Sequence, residues 1–295
     1  MYNFRKIDKC NMCGSSSYNH KLLGKRFNRS QGIFFKKKIN DISTNIYKCT
    51  KCNTIFTNPI PYPNSGFKRY EELNYTDMLN FDDKIYEHEL LILQKNIKKN
   101  KPKFLDIGCG NGYLLNNLNN KNFDVYGIEP VKKYFDICIK EFPYLKTKVE
   151  NIDIENYNKK ITFDIISFNS VLEHLIDPKE QLKSSLDKLE KGGIIHIEVP
   201  HSNWLLSKLI NFFKRLTLQN NVTNLSPMHP PYHYYEFSKK SFEVNSKIMG
   251  YKVLYHYIRV SDIELKIPNY LKIFLKALMK YTNTGKQLII FLEKL

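Results

Sequence analysis

Short apolar runs alternate with amphipathic stretches along most of the chain after residue 102. Runs of this length, rich in β-branched and aromatic residues, predict strands, and stretches with apolar residues three or four apart predict helices. Their alternation predicts an α/β fold with a doubly wound, mostly parallel sheet of seven strands. The predicted strands are Lys103–Ile107, Phe123–Ile128, Lys146–Val149, Phe163–Phe168, Gly193–Val199, Tyr251–Val260 and Gln287–Leu292, and the predicted helices are Tyr113–Asn119, Lys132–Glu141, Pro178–Leu189 and Ser238–Met249.

The first 102 residues carry a different pattern. Candidate strands at Lys21–Phe27, Gly32–Lys37 and Ile46–Cys49 precede a proline-rich stretch, Thr57–Pro63, which predicts a stiff linker. Helical spacing then runs from about Phe67 to Lys99. We therefore expect three parts: a unit over 1–63, a helical linker or lid over 64–102, and a main domain over 103–295 with substrate insertions at 201–236 and 263–284.

Four of the six cysteines form two CxxC pairs, Cys10 with Cys13 and Cys49 with Cys52. Paired thiols at this spacing are typical of a tetrahedral Zn²⁺ site. Four thiolates leave no open coordination position, so the predicted metal is structural. Two unrelated turns, or a redox-active pair, are the alternatives.

The formal net charge is +17, which by itself favours an anionic partner. Only six of the 46 basic residues are Arg, the residue best suited to bidentate phosphate recognition, so the charge also fits simple Lys bias. The sequence has no apolar run of membrane-spanning length and no apolar secretory core near its start. We therefore expect a cytoplasmic protein.

A glycine-rich turn follows the first strand of the main domain. It reads LeuAspIleGlyCysGlyAsnGly over 105–112, so the glycines are spaced GxGxG rather than the GxGxxG of dinucleotide sites. An acidic residue before the loop, Asp106, suits a cationic ligand better than a pyrophosphate. Glu129, at the end of the next strand, is placed to accept both hydroxyls of a ribose.

Together these residues resemble the class I methyltransferases that use S-adenosylmethionine (SAM). Tyr-x-Cys-x-x-Cys followed by AsnPro-x-Pro over 47–61 resembles the zinc-ribbon front end of a branch that acts on sugars and surface polysaccharides. The other matching segments are GlyIleGluPro at 127–130, AspIleGlu at 153–155, PheAspIleIle at 163–166, ValLeuGluHisLeuIleAspPro at 171–178 and GlyGlyIleIleHisIleGluValPro at 192–200.

The resemblance implies a Rossmann-like fold with SAM as methyl donor. In such a site the loop glycines let the backbone approach the methionine part, and Asp106 favours its ammonium or sulfonium. Glu129 would bind the ribose and Asp153 the adenine amino group, although Asp153 is also explained as an ordinary loop residue. The implied SAM contacts are Asp106, Gly108, Cys109, Gly110, Gly112, Glu129, Pro130, Asp153, Ile154 and Asn169.

The insertion over 201–236 follows the fifth strand and leads into MetHisProProTyrHisTyrTyrGluPheSer at 228–238. Ligands of open α/β sheets bind beyond the carboxyl ends of the strands, so this long loop lies where the acceptor is expected. His233 matches a histidine of the branch, but Tyr232 replaces the glutamate that precedes it. The candidate catalytic residues are His233, His229, His174 and Tyr75; for each of them a purely structural role is the alternative.

Two further segments, Trp204–Leu218 and Pro268–Tyr281, combine lysines with apolar faces. Such helices rest on anionic membranes, pack on the sheet, or contact another subunit. We expect a small-molecule acceptor, most simply a nucleotide-linked or surface-polysaccharide sugar, with peripheral membrane contact as an option. An RNA methyltransferase that uses the zinc ribbon and basic surface is the alternative function, and a scaffold that binds SAM poorly is a third. The sequence leaves the oligomeric state open.

Overall fold

The computed structural model describes residues 2–27, 42–63, 70, 83–229, 233–263 and 265–295. The predicted strand Gly32–Lys37, the candidate Tyr75, the substituted Tyr232 and most of the predicted helix before Asp83 lie outside these ranges. The described strands are β1 Tyr2–Arg5, β2 His20–Phe27, β3 Ser43–Cys49, β4 Ile55–Asn58, β5 Ile60–Pro63, β6 Lys103–Ile107, β7 Asp124–Ile128, β8 Val149–Glu150, β9 Phe163–Asn169, β10 Leu189–Pro200, β11 Tyr235–Glu236, β12 Tyr251–Arg259 and β13 Gln287–Lys294.

Seven α-helices accompany these strands within the described ranges. The helix Lys239–Met249 has residues typical of helix ends on both sides. Ser238 and Ser241 form a capping box at its start, and Gly250 ends it in the left-handed conformation with φ of 75°. The helices are α1 Asp83–Asn96, α2 Tyr113–Asn120, α3 Lys132–Glu141, α4 Pro178–Asp187, α5 Leu205–Leu216, α6 Lys239–Met249 and α7 Asn269–Tyr281.

The main sheet has seven strands in the order β12-β13-β10-β9-β6-β7-β8. Strands β10, β9, β6, β7 and β8 run parallel, and β13 pairs antiparallel with both β10 and β12. Residues 163–168 of β9 are all buried, as a central strand covered on both faces requires. The predicted doubly wound, mostly parallel seven-stranded sheet is therefore confirmed.

Several predicted elements were wrong in kind or extent. Thr57–Pro63, predicted as a stiff linker, forms the end of β4 and the strand β5, which pairs with β1. The fifth strand of the main domain begins at Leu189 rather than at Gly193. The third strand, predicted at Lys146–Val149, is a 3₁₀ helix over Pro143–Thr147 followed by the two-residue strand β8. Proline is well tolerated in the first turn of a helix, so Pro143 suits the start of the 3₁₀ helix. Strand β8 lies at the edge of the sheet, where a strand has one neighbour, here β7, and forms fewer backbone hydrogen bonds. The long helix predicted to reach Lys99 ends at Asn96.

Residues 2–27 and 42–63 contain two small antiparallel sheets, β1 with β5 and the set β4-β3-β2. Strand β11, from the insertion before α6, adds to this second sheet by pairing Tyr235 with Phe56. One apolar core also runs from Cys10, Cys49 and Cys52 to Phe237 and Phe242 of the main domain. The N-terminal unit is thus built into the main domain through the insertion.

Helices α5 and α7 both follow strands that finish at one end of the main sheet. Gln287 of β13 lies opposite Pro200 of β10 on one side and opposite Arg259 of β12 on the other. The carboxyl ends of β10 and β12 therefore share the end of the sheet where β6 leads into the glycine-rich loop. Within the described ranges, each helix is too short or too polar to cross a membrane.

Candidate active site

The glycine-rich loop joins β6 to α2 at the carboxyl end of the sheet. Its turn is held to the neighbouring strand because the backbone N–H groups of Gly108 and Cys109 both donate to the Ile128 carbonyl, at 2.8 and 3.1 Å. Gly108, Gly110 and Gly112 all have positive φ, at 73°, 55° and 80°. This conformation is costly for residues with a Cβ, so the GxGxG spacing follows from the shape of the turn.

The three glycines differ in what surrounds them. A Cβ on Gly110 would meet no atom within 4 Å, whereas one on Gly108 would lie 2.7 Å from Val171 and one on Gly112 would lie 2.5 Å from the Cys138 sulfur. Gly110 therefore faces open space, as a residue that lets a ligand approach the backbone must. Gly112 instead faces the protein interior, where the loop packs against α3.

Glu129 holds this loop in place. Its buried carboxylate accepts the Gly110 N–H and the Val131 N–H, both at 2.8 Å. Burial raises the pKa of Glu129 to about 7, although these two donors act in the opposite direction. Each oxygen still has a second lone pair, so the residue suits ribose hydroxyls as well as the loop.

Asp106 lies under the same loop, at the end of β6. It is buried, and among the described residues its Oδ1 has no hydrogen-bond partner. Burial and the neighbouring Glu129 raise the pKa of Asp106 to about 8. A buried carboxylate oxygen without a hydrogen-bond partner is unfavourable, so this position fits a ligand group that carries positive charge.

Asp153 and Ile154, the residues expected to contact adenine, lie in the turn after β8. Asp153 Oδ1 accepts the backbone N–H and the side-chain amide of Asn156, at 2.9 and 2.7 Å, and Ile154 is buried. Asp153 therefore shapes its own turn, and any adenine contact would use its other oxygen. Asn169 ends β9 opposite Glu198, and Pro130 follows Glu129 directly.

Three histidines come together at the same end of the sheet. The ring centroids of His174 and His233 are 4.3 Å apart, and those of His229 and His233 are 5.0 Å apart. The hydroxyl of Tyr70 lies 3.2 Å from His174 Nδ1. Burial lowers the pKa of His229 to about 3 and that of His233 well below its usual value, so both rings are neutral near pH 7.

Backbone hydrogen bonds fix this histidine cluster, defined as His174, His229 and His233. The N–H of Met228 donates to the His233 carbonyl at 2.9 Å, and the N–H of His233 donates to the His229 carbonyl at 3.0 Å. The N–H of Tyr234 then donates to the Glu173 carbonyl at 2.7 Å. The insertion is thus tied to the 3₁₀ turn Leu172–His174, which follows β9 and packs on Gly108 through Val171.

Sequence reasoning missed Glu173 as a site residue. Its side chain is buried, its Oε2 has no partner among the described residues, and burial together with Glu198 raises its pKa to about 8. Its carboxylate and the ring nitrogens of His174 and His233 lie within 4.8 Å of one another, close enough to hold a cation. Glu173 belongs to the motif ValLeuGluHisLeu, which the sequence analysis had already singled out. The motif alone does not show that the Glu173 side chain lies close to His233 of the insertion.

A buried ion-pair network, also missed, fixes α1 to the sheet. The Arg259 guanidinium donates to both Glu198 oxygens at 2.9 Å and to Glu89 at 2.6 Å. Glu89 is on α1, Glu198 on β10 and Arg259 on β12. The network therefore anchors the segment that leads into the main domain at the carboxyl end of the sheet.

The four paired cysteines converge in the N-terminal unit, with Sγ atoms within 4.8 Å of one another. Each CxxC forms the same turn: the Gly14 N–H donates to the Cys10 carbonyl and the Asn53 N–H to the Cys49 carbonyl, both at 2.8 Å. The Cys10–Cys52 and Cys13–Cys49 sulfur separations are both 3.6 Å. Since a tetrahedral ion with bonds of about 2.3 Å separates its sulfurs by slightly more than this, the residues fit Zn²⁺.

Comparisons with known proteins identify the family. The family model described as a methyltransferase domain matches residues 80–256, more than half of the chain. The protein therefore belongs to the methyltransferase-domain family.

Curated relatives match over limited segments. The mitochondrial ubiquinone biosynthesis O-methyltransferase of Schizosaccharomyces pombe is 28% identical over 131 residues, which cover 43% of this chain and 46% of that protein. The peramine synthetase of Metarhizium rileyi is 34% identical over 99 residues, 30% of this chain and 3% of that protein. The chain thus spans less than half the length of these relatives.

Among solved structures, the plantazolicin methyltransferase BpumL in complex with S-adenosylhomocysteine (SAH) has the same fold. The TM-score is 0.50 at 18% identity, and the match covers 77% of this chain and 90% of that one. At this identity the likeness concerns the fold.

Two alanine substitutions in the loop are expected to have opposite consequences. Gly110→Ala should lower SAM affinity by at least about tenfold while costing only about 1–2 kcal/mol of stability, because its Cβ enters open space. Gly112→Ala should destabilise the fold by about 2–4 kcal/mol, because its Cβ overlaps Cys138. Calorimetric SAM titration and thermal unfolding of both variants distinguish the two effects. Equal stability of the two variants would contradict this assignment.

SAM affinity is also expected to rise with pH. Asp106, with a pKa of about 8, is largely protonated at pH 6, and a cationic ligand favours its ionised form, so binding should release a proton and tighten as the pH approaches 8. The slope is at most about tenfold per pH unit for one proton. Asp106→Asn should flatten the profile, and SAH, which lacks the sulfonium charge, should show a weaker slope than SAM. A flat profile for SAM in the unaltered protein would contradict this role for Asp106.

Proposed function

We propose that the protein transfers the methyl group of SAM to a sugar that is carried on a nucleotide or belongs to a surface polysaccharide. The observation that supports this most directly is the histidine cluster, which lies next to the SAM loop. The neutral imidazoles of His229 and His233 offer proton acceptance, and the Tyr70 hydroxyl beside His174 offers hydrogen bonding to a hydroxylated ligand. The sugar itself rests on the resemblance of the CxxC unit to the sugar-methylating branch.

In this proposal His233 is the proton acceptor. The Ser226 hydroxyl lies at hydrogen-bond distance from His233 Nδ1, so the acceptor hydroxyl would use Nε2. As the hydroxyl oxygen accepts the methyl group of SAM and the carbon–sulfur bond breaks, the hydroxyl proton would pass to His233 Nε2, and SAH would be the second product. The residues of the chain align the hydroxyl and remove its proton, while the sulfonium of bound SAM supplies the reactive methyl group.

Glu173 would provide the carboxylate that Tyr232 does not. A positive charge on His233 favours ionised Glu173, and ionised Glu173 favours the charged ring, so the two ionisations are coupled. His174 lies between Glu173 and Tyr70 and would orient the acceptor, with His229 supporting the His233 ring. We propose SAM contacts at Asp106, Gly108, Gly110, Glu129, Asp153, Ile154 and Asn169, with Cys109, Gly112 and Pro130 shaping the loop.

We further propose a structural Zn²⁺ held by Cys10, Cys13, Cys49 and Cys52. The paired turns, the sulfur separations and the burial of three of the thiols support it. The ion would fix the sheet to which β11 adds, and β11 directly follows the segment that carries His233. The three parts predicted from the sequence would then act as one catalytic unit.

Incubation with methyl-labelled SAM and a panel of nucleotide sugars tests the proposal. We expect label on a sugar, together with an equal amount of SAH. Label on RNA in a parallel incubation, with none on any sugar, would instead support the RNA methyltransferase that the net charge of +17 leaves open.

A further inference from the structure

Helix α5 is apolar on its exposed side as well as on its buried side. Leu206 packs inward, whereas Leu209, Phe212, Phe213 and Leu216, spaced three and four apart, are exposed, with Phe213 at 61%. A helix on a water-facing surface normally presents polar residues at such positions. This stripe is therefore built to contact something beyond the chain's own core.

Helix α7 repeats the arrangement. Met279 is buried and Leu275 packs near Leu206 of α5, while Tyr270, Ile273 and Phe274 are exposed, with Ile273 at 69%. The two helices share one small apolar cluster and thus form one structural unit. We call their exposed side the basic apolar face, defined by Leu209, Phe212, Phe213, Leu216, Tyr270, Ile273 and Phe274.

The charged residues on the two helices that carry this face are all basic. Residues 203–220 contain Lys208, Lys214 and Arg215 and no acidic residue, and residues 265–281 contain four lysines and no acidic residue. Of the latter, Lys276 pairs with Asp262 from the preceding loop. A second copy of the chain would bring like charges together, so the charge favours an anionic partner. Long lysine side chains around exposed aromatic residues suit the boundary between lipid headgroups and acyl chains.

The position of the face relates it to the active site. The segments that carry α5 and α7 follow Pro200 and Arg259, at the end of the sheet where the glycine-rich loop and the histidine cluster also lie. A surface bound by these helices would therefore be near the opening of the site. Packing within the chain does not account for these exposed apolar residues, whereas binding to a surface near the active site does.

We propose that the basic apolar face docks on an anionic lipid surface and brings the active site to acceptors held there. The docking stands on the exposed residues and charges alone. Its consequence, methylation of a lipid-linked sugar, rests on the function proposed above.

Sedimentation with phospholipid vesicles tests the docking without any methyl acceptor. The protein should bind vesicles of phosphatidylglycerol and phosphatidylcholine in equal parts, and bind phosphatidylcholine alone at least about tenfold more weakly. Phe213→Ser with Ile273→Ser should lower binding to the anionic vesicles by about tenfold or more. Lys272→Glu with Lys280→Glu should do the same, and high salt should weaken binding of the unaltered protein.

Matched controls separate the face from general charge and general hydrophobicity. Lys51→Glu with Lys121→Glu makes the same charge change at exposed positions elsewhere, and Tyr18→Ser removes a side chain that is 98% exposed; neither should alter binding. Equal loss in the charge control, or equal binding to both vesicle types, overturns the proposal. A stable dimer that buries the face and does not bind vesicles also overturns it. Vesicle binding without sugar methylation would leave the docking intact and refute the proposed function.

Discussion

Replacing His233 by alanine is expected to lower kcat for methyl transfer by about 10²–10⁴-fold, the range typical for loss of a positioned general base. SAM affinity should change by no more than about twofold, because the proposed SAM contacts lie on the loops after β6, β7 and β8 and on Asn169. His233 is held by the Ser226 hydroxyl and by backbone bonds to His229 and Met228, so its loss removes a ring without breaking the sheet. Steady-state rates and SAM titration on the same samples measure the two effects separately.

The matched control is His88→Ala, which removes an exposed histidine from α1 and should leave kcat unchanged. Glu173→Gln should cause a smaller loss and should also shift the pH dependence of kcat, because it removes an ionisable group whose oxygen lies within 4.8 Å of a His233 ring nitrogen. If His233→Ala retains full activity, the base assignment is wrong. If Glu173→Gln lowers the rate without moving the pH profile, Glu173 has only a packing role.

The second large effect concerns the four cysteines. We expect about one zinc ion per chain, and we expect Cys49→Ser to lose the ion and several kcal/mol of folding free energy. The effect should spread through the domain because the CxxC turns bond to α6: Asn245 donates to the Met12 carbonyl at 2.6 Å and the Ser241 hydroxyl donates to the Cys52 carbonyl at 3.1 Å. Since β11 adds to the sheet beside these turns, activity should fall with the metal although the ion would take no part in the chemistry.

Elemental analysis and thermal unfolding measure this effect, with Lys51→Ser as the control, since it changes an exposed residue of the same turn. Chelation should produce one cooperative transition at lower temperature rather than a separate early transition of the N-terminal unit. Absence of zinc, with all four thiols reactive in the folded protein, would refute the site. A second equivalent of metal, lost in Glu173→Ala, would show that the histidine cluster also binds a cation.

Local patterns predicted the elements whose sequence signal is local. Apolar runs located β6, β9 and β13, and the glycine spacing located the turn after β6, where all three glycines have positive φ. The CxxC spacing likewise indicated two turns that the structure shows in matching form. Where periodicity was weak and a proline stood nearby, as before β8, the prediction of a strand failed.

Long-range contacts could not be predicted in this way. The pairing of Tyr235 with Phe56 joins segments far apart in sequence, and two-residue strands such as β11 leave no periodic signal. The same limit applies to Glu173, whose significance comes from His233 on a different segment. The sequence therefore predicted the glycine-rich turn and singled out the histidines, but not the carboxylate close to His174 and His233 or the sheet to which the insertion adds a strand.

The central claim is that the SAM loop and the histidine cluster form one active site. The direct test is nuclear Overhauser spectroscopy on the protein bound to SAM with a ¹³C-labelled methyl group. We predict contacts from that methyl group to ring protons of His233 or His174, with the His233 contacts absent in His233→Ala. A bound methyl group that shows contacts to other residues and none to these rings would contradict the account.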